Sequence, residues 1–255
     1  MKTTIVIPAR LGSTRLPNKI LADINGKPML WHVWQKASQI AEVAHVFVAC
    51  DNQQVFEMVE SWGGKVILTD PSCVSGTHRV ATIMNQIPGE LIIILQADEP
   101  LFDPEIIREM IRTANKADAD IYTPIYTIED PAKVMNPNVV KVVTSSNGRA
   151  LYFSRSTIPY VRDCPVNDWP SACKFQGHIG IYGYPRKTLE NYKHVPNSYL
   201  ENAECLEQLR FLEAGYSIQT FLVKHQFAGV DTAADLLVVQ KQFKAQETEK
   251  LHYVT

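Results

Sequence analysis

Residues 4–19 read TIVIPARLGSTRLPNK, and this stretch decides the fold because it joins a short apolar run to a polar loop that contains glycine. The run at 4–8 is rich in β-branched side chains, which is typical of a buried strand. In an open α/β sheet, ligands bind beyond the carboxyl ends of the parallel strands. The loop that follows this strand is therefore the first candidate site in the chain.

Three further apolar runs in the first half of the chain repeat this pattern and alternate with amphipathic stretches. The stretches have apolar residues at helical spacing, whereas the runs are short and uniformly apolar, as buried strands are. Strands separated by helices of this length predict βαβ crossovers and a mainly parallel sheet, which is an α/β, Rossmann-like layout. We predict strands at 45–49, 65–68 and 91–95 and helices at 29–43, 53–62, 77–86 and 104–117.

The alternation changes after about residue 119 and returns near residue 199. The intervening segment contains strand-like runs and, at 158–175, an irregular stretch that carries Pro and Trp. A segment of this kind predicts a small subdomain, at about 120–185, inserted into a single domain that spans 1–255. We predict strands at 120–128, 139–144, 150–154, 177–184 and 217–223 and helices at 199–214 and 233–246.

The composition is that of a folded protein without a strong overall charge. Of the 255 residues 45% are apolar and 20% are charged, and the formal net charge is -2, so no broad basic field predicts nucleic acid as a partner. The five cysteines lack the spacing of a zinc site and indicate reduced thiols. No apolar run approaches the ~20 residues of a membrane span, and the first residues lack the apolar core of a secretion signal. A cytoplasmic location is expected.

The loop after the first strand carries three cations, Arg10, Arg15 and Lys19, around the small residues at 12–14. Small residues let backbone N–H groups approach phosphate oxygens, and the cations would neutralise a polyphosphate. The loop matches neither GxGxxG nor GxxxxGK[ST], which argues against a hydride-transfer dehydrogenase and a P-loop kinase. Composition alone leaves a phosphate site and a solvated basic loop equally open.

Acidic residues follow the apolar run at 91–95 and recur near the end of the chain. Asp98 and Glu99 stand where a strand-end carboxylate holds a divalent cation, and Mg²⁺ takes one or two carboxylates together with substrate phosphates. Asp231 is a second candidate ligand. It also precedes Thr-Ala-Ala-Asp and an apolar helix, and this spacing by itself favours a helix N-cap over a metal ligand.

Other polar residues have simple structural interpretations. His178 lies in a predicted strand of small and apolar residues, where a packed, hydrogen-bonded histidine is the usual case. The Ser-Gly-Thr at 75–77 has the pattern of a turn and helix N-cap, although a helix N-terminus also suits an anion or a base edge. Glu204, Glu207 and Arg210 have the spacing of surface pairs on one helix.

Nine segments carry the most specific pattern in the sequence, and they run from Ile5 to about Leu237. They read IPARLGSTRLPNK, DINGKPM, VSGTHR, LQADEP, NPNVVKVV, ALYFSRSTIPY, GHIGIYGY, LEQLR and GVDTAADL. In this order and spacing they resemble the 3-deoxy-manno-octulosonate (Kdo) cytidylyltransferases, or CMP-Kdo synthetases. The resemblance implies a three-layer nucleotidyltransferase α/β fold, a homodimer built through the inserted subdomain, and Mg²⁺-dependent transfer of CMP from CTP to a sugar acid for lipopolysaccharide synthesis.

The resemblance also implies roles for individual residues. Lys19, Asp98 and Asp231 would be catalytic, with the two carboxylates as ligands of Mg²⁺, which overturns the helix-cap interpretation of Asp231. The nucleotide would be bound by Pro8, Ala9, Arg10, Arg15, Lys19, Ser75, Gly76 and Thr77. The sugar would be bound by Gln96, His178, Tyr182 and Glu207.

Three positions depart from the family pattern, and we expect them to bear on specificity. Ala97 replaces the Gly of LQGDEP, His78 replaces the Glu of SGTER, and Gly177 replaces the Arg of RHLGIYGY. Loss of that Arg beside His178 removes a cation near the inferred sugar site. A sugar with an amino group, 8-amino-3,8-dideoxy-manno-octulosonate, is therefore favoured slightly over plain Kdo.

Two other functions stay open at this stage. A sialic-acid-type cytidylyltransferase would share the opening loop, but not LQADEP or GHIGIYGY as they stand here. A regulator that binds nucleotide without catalysis would fit the three departures, although the retained acidic and basic residues argue against it.

Overall fold

The computed structural model describes residues 1–13, 15–224, 227 and 229–252, apart from the side chains of 246–252. Its strands are β1 (Thr3–Ala9), β2 (Asp23–Ile24), β3 (Lys27–Pro28), β4 (His45–Cys50), β5 (Lys65–Leu68), β6 (Leu91–Ile94), β7 (Ile121–Thr127), β8 (Lys141–Thr144), β9 (Ala150–Ser154), β10 (Gln176–His178), β11 (Tyr182–Pro185) and β12 (Ile218–Val223). Its α-helices are α1 (Met29–Ser38), α2 (Gln53–Ser61), α3 (Gly76–Thr82), α4 (Pro104–Lys116), α5 (Pro131–Met135), α6 (Trp169–Ala172), α7 (Arg186–Glu190), α8 (Tyr199–Glu204), α9 (Gln208–Glu213) and α10 (Ala233–His252).

The chain divides into a first unit, Lys2–Glu105 with Phe227–Thr255, and a second unit, Ile106–Gln226. The predicted insertion at about 120–185 lies within the second unit, which is larger than the prediction. Its proposed role as a dimerisation subdomain stays a prediction. Among the described residues, no helix has both the length and the apolar character needed to cross a lipid bilayer.

The first unit has a parallel sheet in the strand order β5-β4-β1-β6. Every residue of β1 is buried, as are all four residues of β6. Strands covered in this way are mostly apolar in sequence, which is why they were predictable. The predicted α/β, Rossmann-like layout of this region is confirmed, and the helix predicted at 29–43 ends earlier, at Ser38.

The end of the chain returns to the first unit through α10. Val230 and Val239 are fully or almost fully buried in one apolar cluster with Ile24 and Met29. Ile24 belongs to the β2–β3 hairpin, whose turn residues Asn25 and Gly26 both have positive φ, 50° and 79°. Asn-Gly is a strong signal for such a turn. This packing holds the segment before α10 in the first unit.

The second unit is organised around β7. β12 pairs with one edge of β7 in parallel, while β10 and β11 pair with its other edge in the antiparallel direction. The single strand predicted at 177–184 is therefore wrong, because it is interrupted between β10 and β11. The hydroxyl of Thr123 hydrogen-bonds the carbonyl oxygens of Ile179 and Ile181, at 3.3 and 2.9 Å, and holds this interruption.

The single helix predicted at 199–214 is also wrong. Cys205 adopts a left-handed conformation, with φ of 50°, and separates α8 from α9. The break removes the regular spacing that would have paired Glu204, Glu207 and Arg210 on one helix face. Glu204 instead accepts hydrogen bonds from Ser154 Oγ at 2.6 Å and from the Arg155 backbone N–H at 2.8 Å.

Candidate active site

A cleft of about 360 Å³ opens in the first unit at the carboxyl ends of β1 and β6. Most of the residues predicted to bind nucleotide or metal lie along it, which agrees with the rule that ligands bind at this edge of a parallel sheet. The predicted residues in its lining are Pro8, Arg10, Arg15, Lys19, Ser75, Gly76, Gln96, Ala97 and Asp98. Sequence reasoning missed Ile20, Cys73, Val74 and Arg79.

Lys19 joins the two predicted metal ligands. Its Nζ lies 2.5 Å from Asp98 Oδ2 and 3.1 Å from Asp231 Oδ1. These carboxylates raise the pKa of Lys19 above its ordinary value and outweigh the opposing effect of burial, which is the largest single influence. Arg15 Nη2 donates to the same Asp231 oxygen at 3.0 Å. Two acids from distant parts of the sequence thus lie around one cation.

Asp231 does not cap α10. Thr232 and Asp235 form that cap, because Thr232 Oγ1 accepts from the Asp235 backbone N–H at 3.2 Å and Asp235 Oδ2 accepts from the Thr232 backbone N–H at 2.8 Å. This reciprocal pair satisfies the helix terminus. The spacing-based interpretation of Asp231 as the N-cap is therefore wrong, and its carboxylate is directed to Lys19 and Arg15.

The chemistry of this acidic pair fits a divalent cation. The ammonium group of Lys19 already lies within bonding distance of both Asp98 and Asp231, so both carboxylates can contact a single positive charge. Among the described residues, no cluster of three or more His, Cys, Asp or Glu side chains forms a complete metal site. Mg²⁺ held by one or two carboxylates takes its remaining oxygens from water and substrate phosphates.

Glu99 lies close enough to this pair to be repelled by both carboxylates. Its Oε2 is buried and has no hydrogen-bond partner among the described residues. Burial, with repulsion from Asp98 and Asp231, raises the pKa of Glu99 well above its usual range. A side chain at Gly229 would place its Cβ 3.2 Å from this oxygen, so the glycine leaves room for the carboxyl group.

The opposite end of the cleft is formed by the N-terminus of α3. Ser75 caps the helix, since its side chain accepts from the His78 backbone N–H at 3.0 Å. A Cβ at Gly76 would lie only 3.1 Å from Pro8 Cγ, so glycine allows the helix terminus to approach β1 closely. Ala9 and Thr77 are buried and do not line the cleft, so their predicted contact with the nucleotide stays a prediction.

The predicted sugar-binding residues are divided between the units. Gln96 lies in the first unit, whereas His178, Tyr182 and Glu207 lie in the second. The His178 ring lies 5.3 Å from the Tyr182 ring, and its Nε2 lies 2.9 Å from Thr123 Oγ1. Burial lowers the pKa of His178 from 6.5 to about 3. The imidazole is therefore neutral at physiological pH and offers hydrogen bonding rather than charge.

Glu207 belongs to a polar network at the start of α9. Its Oε1 accepts from the Tyr192 hydroxyl at 2.7 Å, and Arg210 Nη1 donates to the same hydroxyl at 2.8 Å. Arg210 Nε in turn donates to Glu201 Oε2 at 2.6 Å. The predicted simple surface pairing of Glu207 with Arg210 is replaced by a network that fixes both side chains.

The expected specificity residues have different surroundings. Gly177 pairs with Tyr126 across β10 and β7, and a Cβ at Gly177 would lie 2.4 Å from the Tyr126 ring. Successive residues of a strand point to opposite faces, so position 177 and His178 face different sides of the sheet. Ala97 lines the cleft, whereas His78 Nδ1 accepts from the Val74 backbone N–H at 3.2 Å.

Comparison with known proteins finds cytidylyltransferases. The sequence model of the cytidylyltransferase family matches residues 4–219. The 8-amino-3,8-dideoxy-manno-octulosonate cytidylyltransferase of Shewanella pealeana is 41% identical over 245 residues, which cover 94% of this chain and 98% of that protein. The 3-deoxy-manno-octulosonate cytidylyltransferase of Escherichia coli is 42% identical over 246 residues, which cover 96% of this chain and 97% of that protein.

A solved structure shows the same fold. The structure of CMP:2-keto-3-deoxy-manno-octonic acid synthetase complexed with CTP superimposes with a TM-score of 0.90 at 42% identity, covering 97% of this chain and 100% of that one. The predicted nucleotidyltransferase fold class is confirmed. Relatives named for the amino sugar and for Kdo are 41% and 42% identical to this chain, so overall identity does not select the sugar.

Proposed function

This chain belongs to the cytidylyltransferase family, and on that premise we propose that it transfers CMP from CTP to the anomeric hydroxyl of a 3-deoxy-octulosonate sugar acid, releasing pyrophosphate, for lipopolysaccharide synthesis. One observation carries the proposal. Asp98 and Asp231 both contact Lys19, and Arg15 contacts the same Asp231, while Asp98, Lys19 and Arg15 line the cleft. This is the charge pattern that a nucleoside triphosphate and a divalent cation together require.

The reaction joins two anions, so the protein must offset charge repulsion and align the reactants. The anomeric hydroxyl attacks the α-phosphorus of CTP in line, its proton passes to solvent water, and the bond to the pyrophosphate oxygen breaks. Arg10, Arg15 and Lys19 would neutralise the triphosphate, with Lys19 near the phosphates that leave. The N-terminus of α3 and Pro8 would border the cytidine. Alignment of this kind contributes several kcal/mol to catalysis.

We propose that Asp98 and Asp231 hold Mg²⁺ when CTP is bound. The ion would neutralise phosphate charge and lower the pKa of the attacking hydroxyl, so that a dedicated protein base is not required. Lys19, which bridges the same two carboxylates, would then donate to phosphate oxygens instead. These roles use the residues that the described structure brings together.

Among octulosonates, we propose the 8-amino-3,8-dideoxy sugar as the preferred acceptor, with plain Kdo as the alternative. Position 177 faces the side of the sheet away from His178, so the support is a longer-range one: the cation that the family has at this position is absent, and the Tyr126 ring occupies its space. Burial raises the pKa of Tyr126 to about 12, so its phenol is uncharged. Gln96, His178, Tyr182 and Glu207 remain the proposed sugar-binding residues.

We further propose that the enzyme acts in the cytoplasm as a homodimer. Large apolar side chains of the second unit are exposed and would suit a partner surface, and they include Leu151, Tyr160, Val166 and Tyr199. The free cysteines fit a reducing compartment.

The proposed activity is tested by mixing the protein with CTP, Mg²⁺ and each candidate sugar and measuring pyrophosphate. Release that depends on an octulosonate supports the proposal. Release with sialic acid instead would identify the sialic-acid-type alternative. Binding of CTP without pyrophosphate release under any of these conditions would identify a non-catalytic regulator.

Arg15→Ala and Lys19→Ala are expected to raise the KM for CTP by about tenfold or more while leaving the KM for the sugar nearly unchanged. Each variant loses a charge-assisted phosphate contact, which is worth about 1.5–3 kcal/mol. Lys27→Ala is the matched control, because Lys27 is an exposed cation in the β2–β3 hairpin of the same unit. An increase confined to the KM for the sugar would show that these cations bind the sugar and not the triphosphate of CTP.

A further inference from the structure

Arg79 is a buried cation that the proposed reaction does not use. It lies on α3, three residues after Gly76, and its side chain is 2% exposed. Its Nη2 donates to Asp51 Oδ2 at 2.9 Å, and its Nη1 donates to Thr69 Oγ1. Thr69 is itself fixed, since its hydroxyl donates to the Cys50 carbonyl oxygen at 2.8 Å. The guanidinium is thus held between the ends of β4 and β5.

Asp51 links this cation to the basic loop. One of its carboxylate oxygens accepts from Arg79, and the other accepts from the backbone N–H of Leu11 at 3.4 Å. Leu11 lies between the proposed phosphate-binding residues Arg10 and Arg15. The chain of contacts from α3 through Arg79 and Asp51 therefore reaches the loop that would hold the triphosphate.

We infer that Arg79 and Asp51 are positioning residues that set the distance between the nucleobase end and the triphosphate end of the cleft. Resting on the proposed function, this assignment gives the pair a role in CTP recognition without contact to the reacting atoms. The guanidinium fork of Arg79 is anchored on Thr69 by one nitrogen and fixes the direction of Asp51 with the other, and Asp51 fixes the loop backbone. An ammonium group cannot reproduce that fork, because it is a point charge without planar geometry.

The test compares Arg79→Lys and Asp51→Asn with the unmodified protein. Each variant is expected to raise the dissociation constant for CTP about tenfold and that for CMP less than about threefold, because the displaced loop faces the outer phosphates. The KM for the sugar is expected to stay within about twofold. Glu190→Gln is the matched control, since it removes an exposed carboxylate that pairs with Arg186 in the second unit, and it should change none of these values.

A double variant separates positioning from folding. Removing one partner of a buried ion pair destabilises a protein because the other charge stays buried, whereas replacing both by apolar residues largely avoids that loss. Arg79→Met with Asp51→Leu is therefore expected to regain much of the thermal stability that either single variant loses. Its weakened binding of CTP should persist, because the tie to Leu11 is still missing.

The assignment is overturned by any of three results in a wild-type protein that binds CTP normally. The first is unchanged CTP affinity in both single variants. The second is an equal weakening of the binding of CTP, of CMP and of the sugar. The third is recovery of CTP binding together with stability in the double variant. Failure of the wild-type protein to bind CTP or release pyrophosphate would instead contradict the proposed function, so the two failures are distinguishable.

Discussion

Asp98→Asn and Asp231→Asn are each expected to lower kcat by a factor on the order of 10²–10³ while the protein stays folded. Each substitution replaces a carboxylate that we propose as a metal ligand by a neutral amide, so it should weaken the electrostatic stabilisation on which the proposed catalysis depends. Folding should be little affected at Asp231, whose side chain is 51% exposed, because exposed ion pairs contribute at most about 1 kcal/mol. The measurement is pyrophosphate release at saturating CTP, sugar and Mg²⁺.

A nearby acid provides the control for both variants. Asp235 lies four residues beyond Asp231 but accepts hydrogen bonds at the cap of α10, and an asparagine can accept them as well. Asp235→Asn should therefore keep pyrophosphate release within a few-fold of the wild-type rate. Near-wild-type release by Asp98→Asn or Asp231→Asn would remove that residue from the proposed metal site.

Gly177→Arg is expected to destabilise the fold by about 3 kcal/mol or more. A Cβ at this position would lie 2.4 Å from the Tyr126 ring, and overpacking of a buried site typically costs 1–3 kcal/mol, sometimes more. The Tyr126 ring is itself 4% exposed and fixed within β7, so it cannot move aside easily. Denaturant unfolding of Gly177→Arg measures the loss.

The double variant Gly177→Arg with Tyr126→Ala tests the proposed sugar preference. Removal of the ring makes room for the arginine, so the pair should be more stable than Gly177→Arg alone. Its cation should shift the ratio of kcat/KM values towards plain Kdo, because it repels an ammonium group. If the arginine and the ammonium group of the sugar are about 10 Å apart, at an effective dielectric of about 20, they repel each other by about 1.7 kcal/mol. Before screening by salt, this corresponds to a change of more than about tenfold in the ratio of kcat/KM values. Tyr126→Ala alone is the control.

Two outcomes would argue against this account of specificity. Gly177→Arg could be as stable as the wild-type protein, in which case Tyr126 does not occupy the space that an arginine needs. The ratio of kcat/KM values could stay constant in the double variant, in which case the departure from the family pattern at position 177 has no bearing on the sugar.

The parallel part of the fold was predictable because burial on both faces gives β1 and β6 mostly apolar sequences. The break between β10 and β11 was not predictable in the same way. Residues 179–181 have the composition of a strand, and the hydroxyl that holds the break, on Thr123, is 56 residues from Ile179. Cys205 likewise adopts a conformation that non-glycine residues rarely take, so the split between α8 and α9 carried no local signal.

The candidate site was predictable only where its residues belong to recognisable motifs. Spacing alone assigned Asp231 to the cap of α10. Spacing cannot show that Thr232 and Asp235 form this cap instead, because that depends on the local backbone geometry. Arg79 was missed because a cation on a short helix ordinarily faces solvent. A signal for it did exist, in that Asp51 directly follows the buried end of β4, and a carboxylate at that sheet edge needs a partner.

The most direct test of the central claim is a competition assay in which Kdo and its 8-amino analogue are offered together with CTP and Mg²⁺, and CMP-linked sugars and pyrophosphate are quantified. The account predicts one pyrophosphate for each CMP-sugar formed, with the 8-amino sugar consumed preferentially and with the rate of product formation in Asp98→Asn lowered by a factor on the order of 10²–10³. Preference for plain Kdo would contradict the proposed sugar while leaving the activity intact. Absence of both CMP-sugars, with CTP recovered unchanged, would contradict the assignment of this cleft to cytidylyl transfer.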